Sequence, residues 1–270
     1  MAVGSVARMS DGRSRDGRTA VDDLGHVTAL PDVVARVVSL VPSLTEALVA
    51  SRREAVVAAT DWCTMPPDLD VTRIRGTKNP DTAAIVALAP DLVIANQEEN
   101  RELDVRRLRD AGVPVWVTRI RSVDEAFTAI ERMFDTALGW DVPEWLSQAH
   151  TLWAAPPAPD GPRVAVAIWR DPWMVVGGDT FADDVLSRLG CVNAFRDHGD
   201  RYPSVPADEI DAMGLDLVLL PDEPYFFTET DGPDAFRRTP AALISGRMLT
   251  WYGPSLLPAR SLLEESMCPR

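Results

Sequence analysis

Two stretches, "LAPDLVIA" (Leu88–Ala95) and "MGLDLVLL" (Met213–Leu220), are near copies placed in opposite halves of the chain. Each passes from the end of an apolar helical run, through a Pro or Gly and an Asp, into a short strand run. The flanking sequence repeats as well. Before the first copy, "RVVSLV" (36–41) reads as a strand and "PSLTEALVA" (42–50) as a helix, with Ser43 and Glu46 at capping-box spacing. The short strand "EAVVAAT" (54–60) follows, then a helix that stops before Pro90. After the copy come the charged helix "EENRELDVRRLRDAG" (98–112) and the strand "VPVWVT" (113–118).

In the second half "RVAVAIW" (163–169) is the opening strand. "DTFADDVLSRLG" (179–190) is a helix closed by Gly190, a residue suited to the left-handed position after a helix. "ADEIDAM" (207–213) is a helix leading into "DLVLL" (216–220). Both copies stand at similar distances from their opening strands, which indicates two copies of one α/β unit. Apolar strands alternating with helices imply parallel sheets covered on both faces. Residues 122–155 keep helical spacing, with a break at Gly139–Pro143. The fold class is therefore α/β, with two doubly wound parallel-sheet lobes joined by a helical backbone and a ligand cleft between them. The expected divisions are a disordered tail at 1–30, an N-terminal lobe at 31–120, a connecting helical region at 121–156 and a C-terminal lobe at 157–270.

Composition narrows the function. A net charge of −14 disfavours nucleic acid and anionic membrane surfaces as partners. Cys63, Cys191 and Cys268 form no C-x-x-C pair, and His26, His150 and His198 are scattered, so a disulfide framework and a zinc ribbon are disfavoured. Residues 1–26 are polar and rich in Gly and Arg, with no apolar signal core, and the run that follows is broken by Pro31, Asp32 and Arg36. A cytoplasmic location is expected, with an extracytoplasmic one as the alternative if translation starts upstream.

Open parallel sheets bind ligands beyond the carboxyl ends of their strands. Pro42–Ser43, Asp61–Trp62–Cys63 and Asn96–Arg101 follow strands of the first half. Trp169–Trp173, Glu223–Phe227 and Thr250–Pro254 follow apolar runs of the second. Trp62, Trp169, Trp173, Trp251, Tyr225 and Tyr252 all fall at such ends, and Tyr202 lies in another loop of the same half. A cleft so rich in aromatic faces suits a large, flat, partly apolar ligand. The plainer alternative is that these rings close the lobe ends as core. Glu46, Glu98, Glu99 and Asp179 are the carboxylates available for an acid/base pair, His198 is a possible metal ligand and Cys63 a possible ligand or nucleophile.

The stretches "RVVSLVPSLTEAL", "IRGTKNP", "IVALAPDLVIANQEENR", "IWRDPWMVVGGDTFADDVLSRLGCVNAF", "DRYPSVPADEI" and "LTWYGP" resemble the helical-backbone metal receptor proteins. These are the class III periplasmic binding proteins, which include the cobalamin-binding subunit of the bacterial vitamin B12 importer and receptors for iron–siderophore and heme. The resemblance spans about residues 36–265. It implies a non-catalytic protein that holds a corrinoid or related metal chelate (another metal-tetrapyrrole or a siderophore) between its lobes; a monomer is expected, and no residue is assigned as catalytic or as a metal ligand. The implied cleft positions are Pro42, Ser43, Trp62, Gly76, Thr77, Lys78, Asn79, Glu98, Glu99, Asn100, Arg101, Trp169, Arg170, Trp173, Tyr202, Trp251 and Tyr252. Gly177 and Gly178 would let the backbone approach the ligand.

Two departures bear on partners. No export segment is visible. Importer-docking relatives carry an acid on each lobe, whereas here Ala83 stands at the first position and only Asp208 and Glu209 at the second. Together these favour an intracellular binding protein with no stable membrane contact. The alternatives are an ABC-importer receptor with an upstream start, whose partner is an ABC permease, and a cofactor-remodelling enzyme on the same fold.

Overall fold

The computed structural model describes residues 17–154 and 161–267. β3 (Val37–Ser39) is central in the first sheet and fully buried, as its β-branched run requires. Helix α1 (Pro42–Arg52) carries the chain to β4 (Val56–Ala59) on one side, and β5 (Thr72–Arg73) extends that edge. The tight hairpin β6 (Arg75–Gly76) and β7 (Asn79–Pro80) and helix α2 (Thr82–Leu88) lead to β8 (Leu92–Asn96) on the other side of β3. Helix α3 (Glu102–Asp110) and edge strand β9 (Val115–Thr118) complete a parallel sheet of order β5-β4-β3-β8-β9. The strand order reverses between β3 and β8, which opens a crevice at their carboxyl ends.

Helix α4 (Val123–Arg132) runs on into a π-helical turn, Met133–Leu138, closed by Gly139 at φ 66°. Helix α5 (Glu144–Trp153) follows, so the expected break falls where the sequence placed it. The second lobe repeats the first. β10 (Arg163–Trp169) is flanked by β11 (Met174–Val175), which runs antiparallel to it, and by β13 (Leu217–Pro221), which runs parallel. Helix α6 (Phe181–Arg188) leads to the short strand β12 (Val192–Asn193), which also pairs with β10. Helix α7 (Ala207–Asp211) precedes β13, β14 (Ala241–Ile244) pairs beside it, and α8 (Gly246–Thr250) and α9 (Leu256–Met267) end the described chain. Gly190 adopts φ 81° after α6, as expected from its position.

One hydrophobic cluster runs without interruption from the first sheet through α4, the π turn and α5 to β10, α6, α8 and α9. The joint is therefore packed core. Polar contacts pin its ends: Val123 N donates to Asp184 Oδ2 at 2.8 Å, Arg188 pairs with Asp124 at 2.7 Å, and Trp153 Nε1 donates to the Leu256 carbonyl at 2.9 Å. Among the described residues no helix is long and apolar enough to cross a membrane.

Two expectations need correction. Residues 1–30 were expected to be a disordered tail. Residues 1–16 lie outside the described residues, but 17–30 fold into an antiparallel hairpin of β1 (Arg18–Val21) and β2 (Val27–Leu30). This hairpin caps the exposed edge at β9. Buried Asp22 accepts from Arg109 at 2.7 Å and Val117 N at 3.3 Å, and Thr28 Oγ1 donates to the Val115 carbonyl. Arg18 donates to the Thr136 and Ala137 carbonyls at the end of the π turn. Nor do Ser43 and Glu46 form a capping box. Proline at the first helical position starts α1 two residues earlier than a Ser43 cap would, with Val41 as the flanking residue and no side-chain cap.

Candidate functional site

The loops predicted to carry ligand contacts leave the carboxyl ends of both sheets and meet at a seam between the lobes. In the first lobe, Asn96 and Asn100 shape the loop after β8. Asn100 Oδ1 accepts from Asn96 N at 2.8 Å, while its Nδ2 donates to the Thr77 carbonyl at 3.0 Å and to the Leu40 carbonyl at 3.3 Å. Asn96 Oδ1 in turn accepts from Glu98 N at 2.8 Å. Two buried amides thereby fix the backbone of Glu98 and Glu99 and tie it to the Gly76–Asn79 turn. Lys78 at the tip of that turn donates to the Glu98 carbonyl. Trp62 lies over the same turn: a Cβ at Gly76 would sit 3.3 Å from its indole nitrogen.

Three carboxylates of this lobe reach across the seam. Glu98 takes Arg201 and, at 3.2 Å, the Tyr202 hydroxyl. Glu99 Oε1 accepts from the Tyr252 hydroxyl at 2.6 Å. Glu46, on α1, pairs with Arg247 on α8. The backbones also touch, since a Cβ at Gly253 would lie 2.6 Å from the Ser43 carbonyl oxygen, so only glycine fits there. Burial pushes the Glu99 carboxyl up to about 7 against the opposing Tyr252 hydrogen bond and Lys78 charge. Burial likewise raises Glu46 above the usual carboxylate range despite Arg247, and Glu223 despite the Trp251 indole. Asp179 holds Arg121 at 2.6 Å and also faces Arg201. The four carboxylates singled out for acid/base work are thus each engaged with Arg or Tyr.

The aromatic residues divide into two groups. Trp62, Trp169, Tyr202 and Phe226 are exposed at strand-end loops, Trp62 by 65% and Phe226 by 70%. Trp169 meets Tyr225 edge-on at 5.6 Å, and Arg170 holds Asp231 and Asp234 beside them. Trp251 and Tyr252, by contrast, are buried, which does not match the open cleft wall expected of them. Trp251 Nε1 donates to Glu223 at 2.6 Å, and Tyr252 packs edge-on against Phe181. Trp173 stacks on Phe227 and abuts Phe236, within the second lobe's own apolar cluster. Gly177 and Gly178 have another use than the one expected. A Cβ at either would strike the backbone oxygens of Asp200 or Arg196, at 2.4 and 2.1 Å, so these glycines admit the 196–201 loop rather than a ligand.

Pro42 and Ser43 sit at the start of α1 in the crevice between β3 and β8, Ser43 being buried, and Arg101 is exposed at the start of α3. Arg201 and Arg247 also belong to the seam and were not among the expected positions, while Asn96 and Glu223 belong to it and were named as strand-end residues without entering the list of implied cleft positions. Arg201 adjoins Tyr202 and Glu223 opens "EPYFF", so both were within reach of the strand-end rule, whereas nothing local marks Arg247. Cavities of about 310 Å3 (between Asp23 and α4) and about 620 Å3 (between Trp173, α7 and Arg237–Arg238) lie outside this seam.

No family model matches the chain. It is 25% identical over 193 residues to the vitamin B12-binding protein of Vibrio cholerae, covering 67% of this chain and 68% of that one. The crystal structure of the periplasmic vitamin B12 binding protein BtuF of Vibrio cholerae superposes with a TM-score of 0.68 at 19% identity, over 86% of this chain and 96% of that one. The periplasmic heme-binding protein RhuT from Roseiflexus sp. RS-1, in apo form, gives 0.71 at 22% identity, over 86% and 99%. The chain has the two-lobed fold of the class III periplasmic binding proteins, and the resemblance read from the sequence holds. The cytoplasmic expectation does not. Both of these solved proteins are periplasmic.

Proposed function

We propose that the protein is a non-catalytic, extracytoplasmic binding protein that captures a corrinoid or related metal chelate between its lobes and delivers it to an ABC permease. The observation that carries this is the convergence of strand-end loops from both sheets, with Trp62 of one lobe and Tyr202 of the other exposed at a polar seam and Trp169 and Phe226 exposed at the carboxyl ends of strands in the second sheet. Exposed rings on two rigid walls offer flat apolar contact to a planar macrocycle, and the seam offers hydrogen bonds to its polar rim. The named relatives, which bind vitamin B12 or heme, support the same ligand class.

Delivery would use the outer turns of two equivalent helices. Ala83 is the exposed second residue of α2, and Asp208 is the exposed second residue of α7, followed by Glu209. The charged contact is therefore one-sided, carried by the second lobe. Equilibrium dialysis against cyanocobalamin, heme and a ferric siderophore tests the binding, with saturable uptake of at least one expected. Reconstitution with the permease encoded in the same genome tests the delivery. Ligand-dependent ATPase stimulation, reduced in the Asp208→Ala/Glu209→Ala double variant, is the expected result. Uptake of none of the three ligands would refute the binding reading.

A further inference from the structure

We propose that the larger cavity and its rim form a docking surface of two signs on the second lobe, where a loop of the permease sets a basic side chain against Asp208 and Glu209 and an acidic one against Arg237 and Arg238. This rests on the delivery reading above and extends it to charges which that reading does not use. The cavity holds about 620 Å3. Trp173, Pro206, Ala207 and Ala235 give it apolar walls, and its charged lining comes from α7 and the 234–238 loop. One buried carboxylate joins these two segments. Asp211, at the end of α7, accepts from the backbone N–H groups of Arg237 at 3.0 Å, Arg238 at 3.0 Å and Thr239 at 2.8 Å. The Asp211 charge is thus spent on amides, and the Arg237 and Arg238 side chains are left exposed on the rim. Asp234 is spent as well: it accepts from Arg170 at 3.1 and 3.2 Å and from Gly232 N at 2.9 Å. Asp208 lines the same cavity as an exposed acid, with exposed Glu209 beside it. A negative pair and a positive pair therefore flank one apolar hollow on a fixed frame.

Apolar walls inside a polar, charged rim are the layout of a protein interface. A small anion would meet Arg237 and Arg238 but also Asp208, in a chain of net charge −14, so it gains less from this rim than a loop that carries both signs. Continuity selects the permease among proteins, because Asp208 and Glu209 are the second lobe's delivery contact and Arg237 and Arg238 stand on the same cavity as Asp208. The second sign also fixes orientation. A loop with both charges pairs one way round and is repelled the other way, which gives register to a contact that lacks an acid at Ala83 on the first lobe.

The test captures the ligand-free chain on nanodiscs that hold the permease from the same genome, and follows cyanocobalamin uptake by dialysis in parallel. Arg237→Glu/Arg238→Glu is expected to weaken capture by roughly tenfold or more, whereas Arg237→Lys/Arg238→Lys, which keeps the charge, retains most of it. Both variants should unfold at the parent's temperature, since Asp211 holds this loop through its backbone, and should match the parent in the dialysis. Capture of the reversal variant as tight as that of the parent would overturn the inference and leave delivery through Asp208 and Glu209 intact. No capture of the parent would overturn both the inference and the delivery reading, while the dialysis reports separately on chelate binding. A parent that sediments as a dimer and becomes monomeric in the reversal variant would assign the surface to a second copy of this chain and overturn the inference as well.

Discussion

The Tyr252 hydroxyl of the second lobe lies 2.6 Å from Glu99 Oε1 of the first, and burial holds that carboxyl up to about 7. The unfolded group titrates near 4.5, so between about 4.5 and 7 the folded state binds the extra proton. The group's contribution to stability is present in full below the lower value and is lost as pH rises through the upper one. Glu99→Gln keeps an acceptor for Tyr252 and removes the titration. The stability of the variant relative to the parent should therefore rise between pH 5 and pH 8, by on the order of 2 kcal/mol. Urea midpoints at the two pH values measure the difference, and a difference that does not change with pH would show that Glu99 ionises normally.

Exposed and buried tryptophans should separate cleanly. Trp62→Ala and Trp169→Ala are expected to weaken chelate binding by about 1–3 kcal/mol each, with little effect on unfolding. Trp251→Ala removes a buried ring and leaves Glu223 without its donor, which should destabilise the fold by about 3–5 kcal/mol. Calorimetric titration beside thermal unfolding distinguishes the two effects. Unchanged affinity in both surface variants would remove these rings from the site.

The N-terminal hairpin should matter to the stability of the whole first lobe. Asp22 accepts from Leu24 N, His26 N, Val117 N and Arg109, so it joins the turn to the edge strand. Asp22→Ala is expected to cost about 3 kcal/mol, since it leaves Arg109 and several amides without their acceptor. Denaturant unfolding followed by circular dichroism checks this. A loss below about 0.5 kcal/mol would reduce the hairpin to a surface ornament.

Much of this was legible in the sequence because repeated strands are local signals. The copies at Leu88–Ala95 and Met213–Leu220 lead into β8 and β13, each beside its lobe's opening strand, and the strand-end rule located the loops that meet at the seam. What escaped depends on contacts distant in sequence. Trp251 and Tyr252 look like cleft aromatics until their partners, Glu223 and Glu99, are seen to bury them. The hairpin at 17–30 was hidden by its polar composition, although "VDDLGHV" between two alternating runs is a turn signal. Arg247 finds Glu46 across the interface with no mark in the residues around it.

Hydrogen exchange with and without cyanocobalamin tests the interlobe site most directly. Protection is expected at once in both lobes, at Asp61–Trp62, Gly76–Asn79 and Glu98–Arg101 in the first and at Trp169–Arg170 and Arg201–Tyr202 in the second. Protection confined to one lobe, or centred on Ala207–Asp211 and Arg237–Arg238 beside the larger cavity, would contradict a ligand held between the lobes.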